Sequence, residues 1–483
     1  MATFYVANFG CRATQADGAA IERQLRERGL ERASEPAEAG IVVFNTCTVT
    51  AAADQDARAA IRRIHRKNPL AQIVVTGCYA QRAPEEIAAL PGVSQVIGNS
   101  HKYRLAEIAG GWGRTSDRGL QQDFVPLAQL TSDVPGQGSG VRRPHTGVRS
   151  PIFVSDIFAH TELQAAPVFD AADGDAGNGR TRPNLKVQDG CDNRCSFCVI
   201  PYVRGHSRSL PLGEVIREVG ELVTAGYREV VISGINLGRW GRDVAQTMWG
   251  GRPRPPAFED LVRAILSETA LEKLRISSVE PMDWSDQLIG MMAQSPRIAK
   301  HAHVPLQSGS DAVLRRMHRK YRPWHYREKI EKIRAAMPTA AIGADVMVGF
   351  PGETDAEFDD TCRLVKDLPF TYLHVFTYSA RPGTPAAALG KQVPVHAARE
   401  RHRVLSEIVA RKKLAFMSSF VGQAIETITL NTAGRDRDLE DEYTEALTDN
   451  FLPVRVRGNH PPNRWIPARI ERVSGEALIG IAA

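Results

Sequence analysis

The chain has 483 residues, 43% hydrophobic and 24% charged, the balance of a globular protein long enough for two or three domains. Its formal net charge of +6 permits a polyanionic partner without requiring one. No stretch reaches the ~18 consecutive apolar residues of a spanning helix, and MATFYVANFGCRA lacks signal-peptide order, so a cytoplasmic chain with no membrane partner is expected. Thiols stay reduced there, and seven cysteines, an odd number, favour metal binding over a disulfide framework.

The first ~110 residues alternate strand and helix. TFYVANFG, GIVVFNT, AQIVVTG and VSQVIGN are the strands, with helical stretches such as GAAIERQLRERG and DQDARAAIRRIHRK between them. This alternation predicts an open, Rossmann-like parallel sheet over 1–112. Residues 113–182 are rich in Gly, Pro, Asp and Ser and read as a linker or insertion, with an ambiguous apolar centre at VRSPIFVSDIFAH. From 183 to 411 the alternation resumes through NLKVQD, EVVISGIN, KLRISSVE, KHAHVPLQ, AIGADVMVGF and YLHVFTYS. Six βα units fall short of the ~250 residues of a complete barrel, so a partial (β/α)6 barrel is predicted. A long helix at 396–421 leads into short alternating strands, and 412–483 reads as a small β-barrel. The fold class is α/β with that appended all-β unit.

Three cysteines crowd into GCDNRCSFCVIPYVRG: Cys191, Cys195 and Cys198. Zinc would need a fourth ligand, for which His206 is the nearest candidate. The alternative is a [4Fe–4S] cluster on three thiolates with one iron open to a substrate. The loop follows the first barrel strand, where barrel active sites are built. The Cys-x3-Cys-x2-Cys spacing, with Phe197 between the second and third cysteines, resembles the radical S-adenosylmethionine (SAM) superfamily. The resemblance implies that the open iron binds SAM. It also implies cofactor roles at the other strand ends: Gly234 and Asn236 for the methionine moiety, Glu280 for the ribose hydroxyls, and Gln307.

Cys11, Cys47 and Cys78 each follow an apolar strand and lie 36 and 31 residues apart, one βα unit each. Carboxyl ends of parallel strands meet on one sheet edge, so the three thiols are expected to converge there. Three converging thiolates suit a second cluster. Cys362, alone in DDTCRLVKDL, reads as a packed or partly exposed thiol.

Both cysteine sets and the domain order resemble the methylthiotransferase family, whose small terminal barrel is the TRAM RNA-binding module. NTCTVTAAADQDARAAIRRIHRKNP and AQIVVTGCYAQ resemble its N6-threonylcarbamoyladenosine tRNA branch. Other branches act on N6-isopentenyladenosine in tRNA or on a ribosomal-protein aspartate. Thr14 stands where the family usually has Asn; the cluster expectation survives this, but any supporting role of that amide around the cluster does not carry over. The resemblance implies two [4Fe–4S] clusters, and SAM as both radical source and methyl donor. A radical abstracts hydrogen from adenine C2, sulfur is delivered through the second cluster, and a second SAM methylates it. The implied partners are a tRNA with an ANN-decoding anticodon, a flavodoxin- or ferredoxin-like electron donor, and a sulfur donor.

The target base lies 3′ of the anticodon, in a loop whose unstacked bases a protein can grip. Basic runs are the expected contacts: Arg62, Arg63, Arg66 and Lys67; Arg315, Arg316, Arg319, Lys320 and Arg322; and, in the terminal barrel, Arg455, Arg457, Arg464 and Trp465. The acidic stretch 436–449 confines RNA to one face of that barrel. A rival of another class is a non-catalytic iron–sulfur protein that binds RNA.

Overall fold

The apolar runs of the first hundred residues pair side by side in the computed structural model, which describes residues 2–110, 150–160, 163, 181–245, 247–249, 252–435 and 442–483. The strands are β1 (Thr3–Asn8), β2 (Glu31–Arg32), β3 (Ile41–Thr46), β4 (Gln72–Gly77), β5 (Val93–Gly98) and β6 (Ile152–Phe153), in the order β2-β1-β3-β4-β5-β6. All pairings are parallel. Val42, Phe44, Ile73 and Val75 fill one face of the sheet, while Val43, Val74, Phe4 and Val6 fill the other. A strand covered on both sides needs apolar residues at successive positions, which is why these runs do not alternate. The helix Ala51–Lys67 begins where Thr50 caps the Ala53 N–H at 3.2 Å.

The centre of the predicted 113–182 insertion is part of this unit: Ile152 and Phe153 add a strand beside Val96 and Ile97. Most of the remaining insertion lies outside the described residues. The unit comprises Met1–Thr161 together with Tyr202–Gly205.

The second unit holds Glu162–Pro201 and His206–Ala483. Its strands begin with β7 (Asn184–Asp189), β8 (Arg208–Ser209), β9 (Glu229–Gly234), a hairpin of β10 (Thr247–Trp249) and β11 (Arg252–Arg254), and β12 (Lys273–Ile276). β13 (His301–His303), β14 (Ala341–Val348) and β15 (Tyr372–Thr377) follow. β12-β9-β7 and β13-β14-β15 are two parallel runs. A Leu274–Ile298 bridge and the Val279 N–H donating to His303 O at 3.1 Å link them. These are the six units of the partial barrel. β8 adds antiparallel to the free edge of β7.

Alternate residues divide the barrel by chemistry. Leu185, Val187, Val230, Ile232, Leu274, Ile276, Ala344 and Val346 face outward into one core with the surrounding helices. The other parity puts Lys186, Gln188, Glu229, Ser233, Arg275, His301, His303 and Asp345 on the inner face. Barrel interiors are more often filled with branched apolar side chains. Glu229 and Arg275, both fully buried, pair at 2.6 Å.

The helix Val395–Ser418 runs across the expected 411/412 boundary. The closed barrel that follows consists of β16 (Ala424–Arg435), β17 (Glu442–Thr448), β18 (Pro453–Arg457), β19 (Trp465–Ser474) and β20 (Ala477–Ala482). Val454, Val456, Ala468, Ile470 and Leu478 fill it, with Met417 and Phe420 from the end of the helix. Its β17–β18 turn reaches the base of the larger barrel. There Arg275 donates to Asp449 O at 3.1 Å, Asn450 donates to Thr339 O at 2.8 Å, and the Phe451 ring lies 4.8 Å from that of His301. Part of the acidic run, 436–441, lies outside the described residues. No helix among the described residues is long and apolar enough to cross a membrane.

Candidate functional site

In the first unit, β1, β3 and β4 are neighbours, and Cys11, Cys47 and Cys78 stand just beyond their carboxyl ends. Two glycines make the approach possible. Gly10 has φ +121, and a Cβ there would lie 2.5 Å from Cys47 Cβ and 3.0 Å from its Sγ. Gly77, immediately before Cys78, has φ +98, and a Cβ there would lie 2.3 Å from Thr46 O. Cys47 and Cys78 are buried and Cys11 is exposed. Burial, then the proximity of Cys78, pushes the Cys47 thiol up to about 12; the Val49 N–H and Arg204 work in the opposite direction. Free thiols so placed are poor nucleophiles, whereas a bound metal ion would supply the positive charge that favours the thiolates.

Polar groups surround the three sulfurs. Asn99 Nδ2 donates to Cys78 Sγ at 3.6 Å and to Val203 O at 2.7 Å. Thr14 Oγ1 lies 3.6 Å from Cys11 Sγ. Asn45 Nδ2 donates to Thr14 O at 2.6 Å, so an amide does reach this corner, but from β3. Arg204 is buried and pairs with Asp17 at 2.9 Å, and Asp17 also pairs with Lys102 at 2.7 Å. Asn99 and Arg204 escaped the sequence reading. Asn99 was open to the rule that found the cysteines, because it stands at the carboxyl end of the VSQVIGN run, directly after β5.

In the second unit, Cys191, Cys195 and Cys198 occupy the loop after β7. The Asn193 N–H and Asn236 Nδ2 donate to Cys191 Sγ at 3.4 and 3.6 Å, and Arg319 Nη1 donates to Cys195 Sγ at 3.2 Å. Loss of hydration, then repulsion from Cys195, raises Cys198 to about 12, and the same two effects, opposed by the Asn193 N–H, raise Cys191. Three clustered thiols, two of which accept side-chain or backbone N–H donors, fit an iron–sulfur cluster. Two buried acceptors nearby, Asn236 Oδ1 and Gln307 Oε1, have no hydrogen-bond partner, as a site for a polar cofactor requires.

The remaining predicted residues divide. Gly234 lies against Gln188, whose Oε1 accepts the Asn236 N–H at 2.7 Å. Gln307 is buried at φ +63 and bridges Val346, a strained backbone that the surrounding sheet must enforce. Phe197 packs against a small cluster with Met317, Met347 and Phe350. Glu280 accepts from Arg319 Nη2, so the carboxylate expected to meet ribose is already engaged.

Arg319 is a correction. It was expected on an RNA-facing surface, yet it is only 7% exposed and lies 4.9 Å over the Tyr321 ring. Burial opposes its charge, but Tyr321, Glu280 and Cys195 keep it protonated. It lines a cleft with Asn193, Cys195, Arg239, Glu280 and His318. Its neighbours are also engaged: Arg316 forks onto Glu357 at 2.8 and 2.9 Å, and Arg315 and Arg322 share Asp311. In the small barrel, Arg457 pairs with Glu471, Arg455 stacks over Tyr443, and Arg464 is exposed. Arg62, Arg63 and Arg66 project into solvent from Ala51–Lys67, and no carboxylate pairs with them among the described residues.

Comparison with known proteins agrees with this geometry. Residues 3–98 match the uncharacterized protein family UPF0004, and residues 185–365 match the radical SAM superfamily. The threonylcarbamoyladenosine tRNA methylthiotransferase MtaB of Bacillus subtilis (strain 168) is 35% identical over 95% of this chain and 91% of its own. The tRNA-2-methylthio-N(6)-dimethylallyladenosine synthase of Novosphingobium aromaticivorans is 33% identical over 99% of this chain and 93% of its own. Among solved structures, the radical SAM methyltransferase TsrM from Kitasatospora setae covers 80% of this chain and 77% of its own at TM-score 0.55 and 16% identity, a likeness of fold. A chain with both cysteine sets at strand ends and relatives this similar over nearly its whole length belongs to the radical SAM methylthiotransferase family, in its threonylcarbamoyladenosine tRNA branch.

Proposed function

We propose that this enzyme methylthiolates C2 of N6-threonylcarbamoyladenosine beside the anticodon of tRNAs that decode ANN codons. The observation that carries the reading is the pair of three-cysteine sets, each at the carboxyl ends of parallel strands and each supplied with N–H donors to sulfur. Family membership brings an iron–sulfur cluster and SAM. We assign the SAM-cleaving [4Fe–4S] cluster to Cys191, Cys195 and Cys198, and a second one to Cys11, Cys47 and Cys78. When bound, these groups supply a hydrogen-abstracting radical, sulfur and a methyl group.

The protein's own residues hold and shield that chemistry. Asn193, Asn236 and Arg319 direct N–H groups at the thiolates, which stabilises their negative charge. Asn236 Oδ1 and Gln307 Oε1 are the acceptors available to SAM. Arg204 and Lys102 on Asp17 place positive charge beside the first set. The small barrel acts as a TRAM-type RNA clamp, with Arg457 and Arg464 toward phosphate. An electron donor of the flavodoxin or ferredoxin class, a sulfur donor and a cytoplasmic setting complete the reading.

The test is a nucleoside profile of tRNA from a deletion strain carrying wild type or variants. Wild type restores 2-methylthio-N6-threonylcarbamoyladenosine, whereas Cys191→Ala and Cys47→Ala do not. Persistence of that nucleoside in the deletion strain, with loss of another methylthio product, rejects the substrate. Product formation by Cys191→Ala rejects the mechanism.

A further inference from the structure

The inner face of the larger barrel carries a polar layer apart from the cysteine loop. His303, Asp345 and His374 stand on the neighbouring strands β13, β14 and β15. One ligand atom of each lies within 4.8 Å of those of the others. His303 is 7% exposed. Its Nδ1 shares a hydrogen bond of 2.7 Å with Ser278 Oγ, which fixes the ring. Its Nε2 faces Asp345 Oδ1 at 3.5 Å and, buried, makes no hydrogen bond. A buried polar atom held in place without a hydrogen bond is a cost that a bound polar group removes.

The layer's height in the barrel follows from strand register. Two residues beyond Asp345 and His374 the same face presents Met347 and Phe376, and Phe197 of the cysteine loop packs against that cluster. Two residues along a strand span about 7 Å. A ligand reaching past the cysteine loop into the barrel therefore meets His303, Asp345 and His374 next. Asp345 is half-buried and His374 is exposed, so the layer is accessible.

We propose that His303, Asp345 and His374 form the subsite for the N6 side chain of the target adenosine, and that the two histidines select an anionic, hydroxyl-bearing side chain over a hydrocarbon one. The proposal rests on the methylthiotransferase reading. N1 separates C2 from C6 in adenine, so with C2 at the reacting centre a group on N6 starts only a few bonds away and can reach the next layer of the lumen. A threonylcarbamoyl group offers a carboxylate and carbonyl to imidazole N–H donors, and a hydroxyl and N–H to Asp345. A dimethylallyl group offers none of these and leaves all three residues facing hydrocarbon. Sites built to hydrogen-bond a substrate reject analogues lacking the polar group by up to about 10⁴–10⁵-fold.

The experiment measures kcat/KM of the cluster-loaded enzyme on two tRNAs, one carrying N6-threonylcarbamoyladenosine and one N6-dimethylallyladenosine. Variants are His374→Leu, His303→Leu and His374→Gln, and bound zinc is quantified in each. Wild type is expected to favour the first tRNA. His374→Leu is expected to lose about 10- to 100-fold on it, with little loss on the second, while His374→Gln retains most of the preference. A structural defect lowers both rates together and leaves the ratio unchanged. An unchanged ratio in both Leu variants overturns the proposal. So does stoichiometric zinc in wild type that His374→Leu loses, which would assign the three residues to a metal. A wild type that acts only on the dimethylallyl tRNA overturns the parent reading instead.

Discussion

Arg319 illustrates how one residue's direction outweighs its charge. The run LRRMHRKYR reads as a basic surface when cations are counted. The helix Asp311–Arg316 ends, His318 adopts φ +56, and Arg319 turns inward onto Cys195, Glu280 and Tyr321. A left-handed residue that is not glycine leaves little trace in sequence, so the reversal was not legible there. A charge-assisted hydrogen bond to sulfur contributes roughly 1.5–3 kcal/mol. Arg319→Gln is therefore expected to lower the one-electron reduction potential of the cluster proposed on Cys191, Cys195 and Cys198 by on the order of 65–130 mV. A titration followed by electron paramagnetic resonance reads this directly, and Arg315→Gln, whose side chain pairs with Asp311 at the surface, should leave it unmoved.

At the scale of elements, the strands were the most legible part, because buried parallel strands are written as continuous apolar runs. Cysteines placed just past those runs located both sets. The inward parity was harder to read: KHAHVPLQ shows histidines two residues apart, but only pairing with β14 and β15 reveals that they face a shared lumen. The Glu229–Arg275 pair at the base of that lumen gives an element-scale prediction. Burial works to raise the Glu229 pKa, yet Arg275 and Arg182 hold it below the ordinary value of 4.5. A carboxylate with a depressed folded pKa contributes stability that is fully present above its unfolded pKa. That contribution is lost as pH falls through the folded one. Glu229→Gln strands the Arg275 charge and should cost about 3–5 kcal/mol at neutral pH. It should also flatten the acid limb of stability below about pH 4.5. Urea midpoints from pH 3 to 7 test both; an unaltered midpoint at pH 7 would contradict the buried pair.

For the whole molecule, the relevant balance is which cations remain available to RNA. Of the three basic runs, that at 315–322 is largely engaged by Asp311, Glu357 and Glu280. The run at 62–66 carries three solvent-facing arginines on one helix. Replacing Arg62, Arg63 and Arg66 together by alanine is expected to reduce the slope of log affinity against log salt by about two to three, since each neutralised phosphate contributes ~0.7–0.9. Filter-binding isotherms between low and physiological salt measure it, and the same slope in both proteins would exclude the helix from the RNA interface.

The turn of the small barrel that carries Asp449, Asn450 and Phe451 has a further consequence. Its backbone and ring meet Arg275 and His301 at the bottom of the larger barrel, so the small barrel acts as a stopper, besides the RNA-clamp role proposed for it. Cutting the chain before Ala424 would unplug the lumen, admit bulk water from below and leave the Arg275 side chain without two backbone acceptors. Such a truncated enzyme should let a soluble thiol or reductant reach the radical and donate hydrogen to it, releasing 5′-deoxyadenosine without methylthiolated product even when the substrate is a short anticodon stem-loop. Loss of activity on truncation would then measure leakage as well as lost RNA grip.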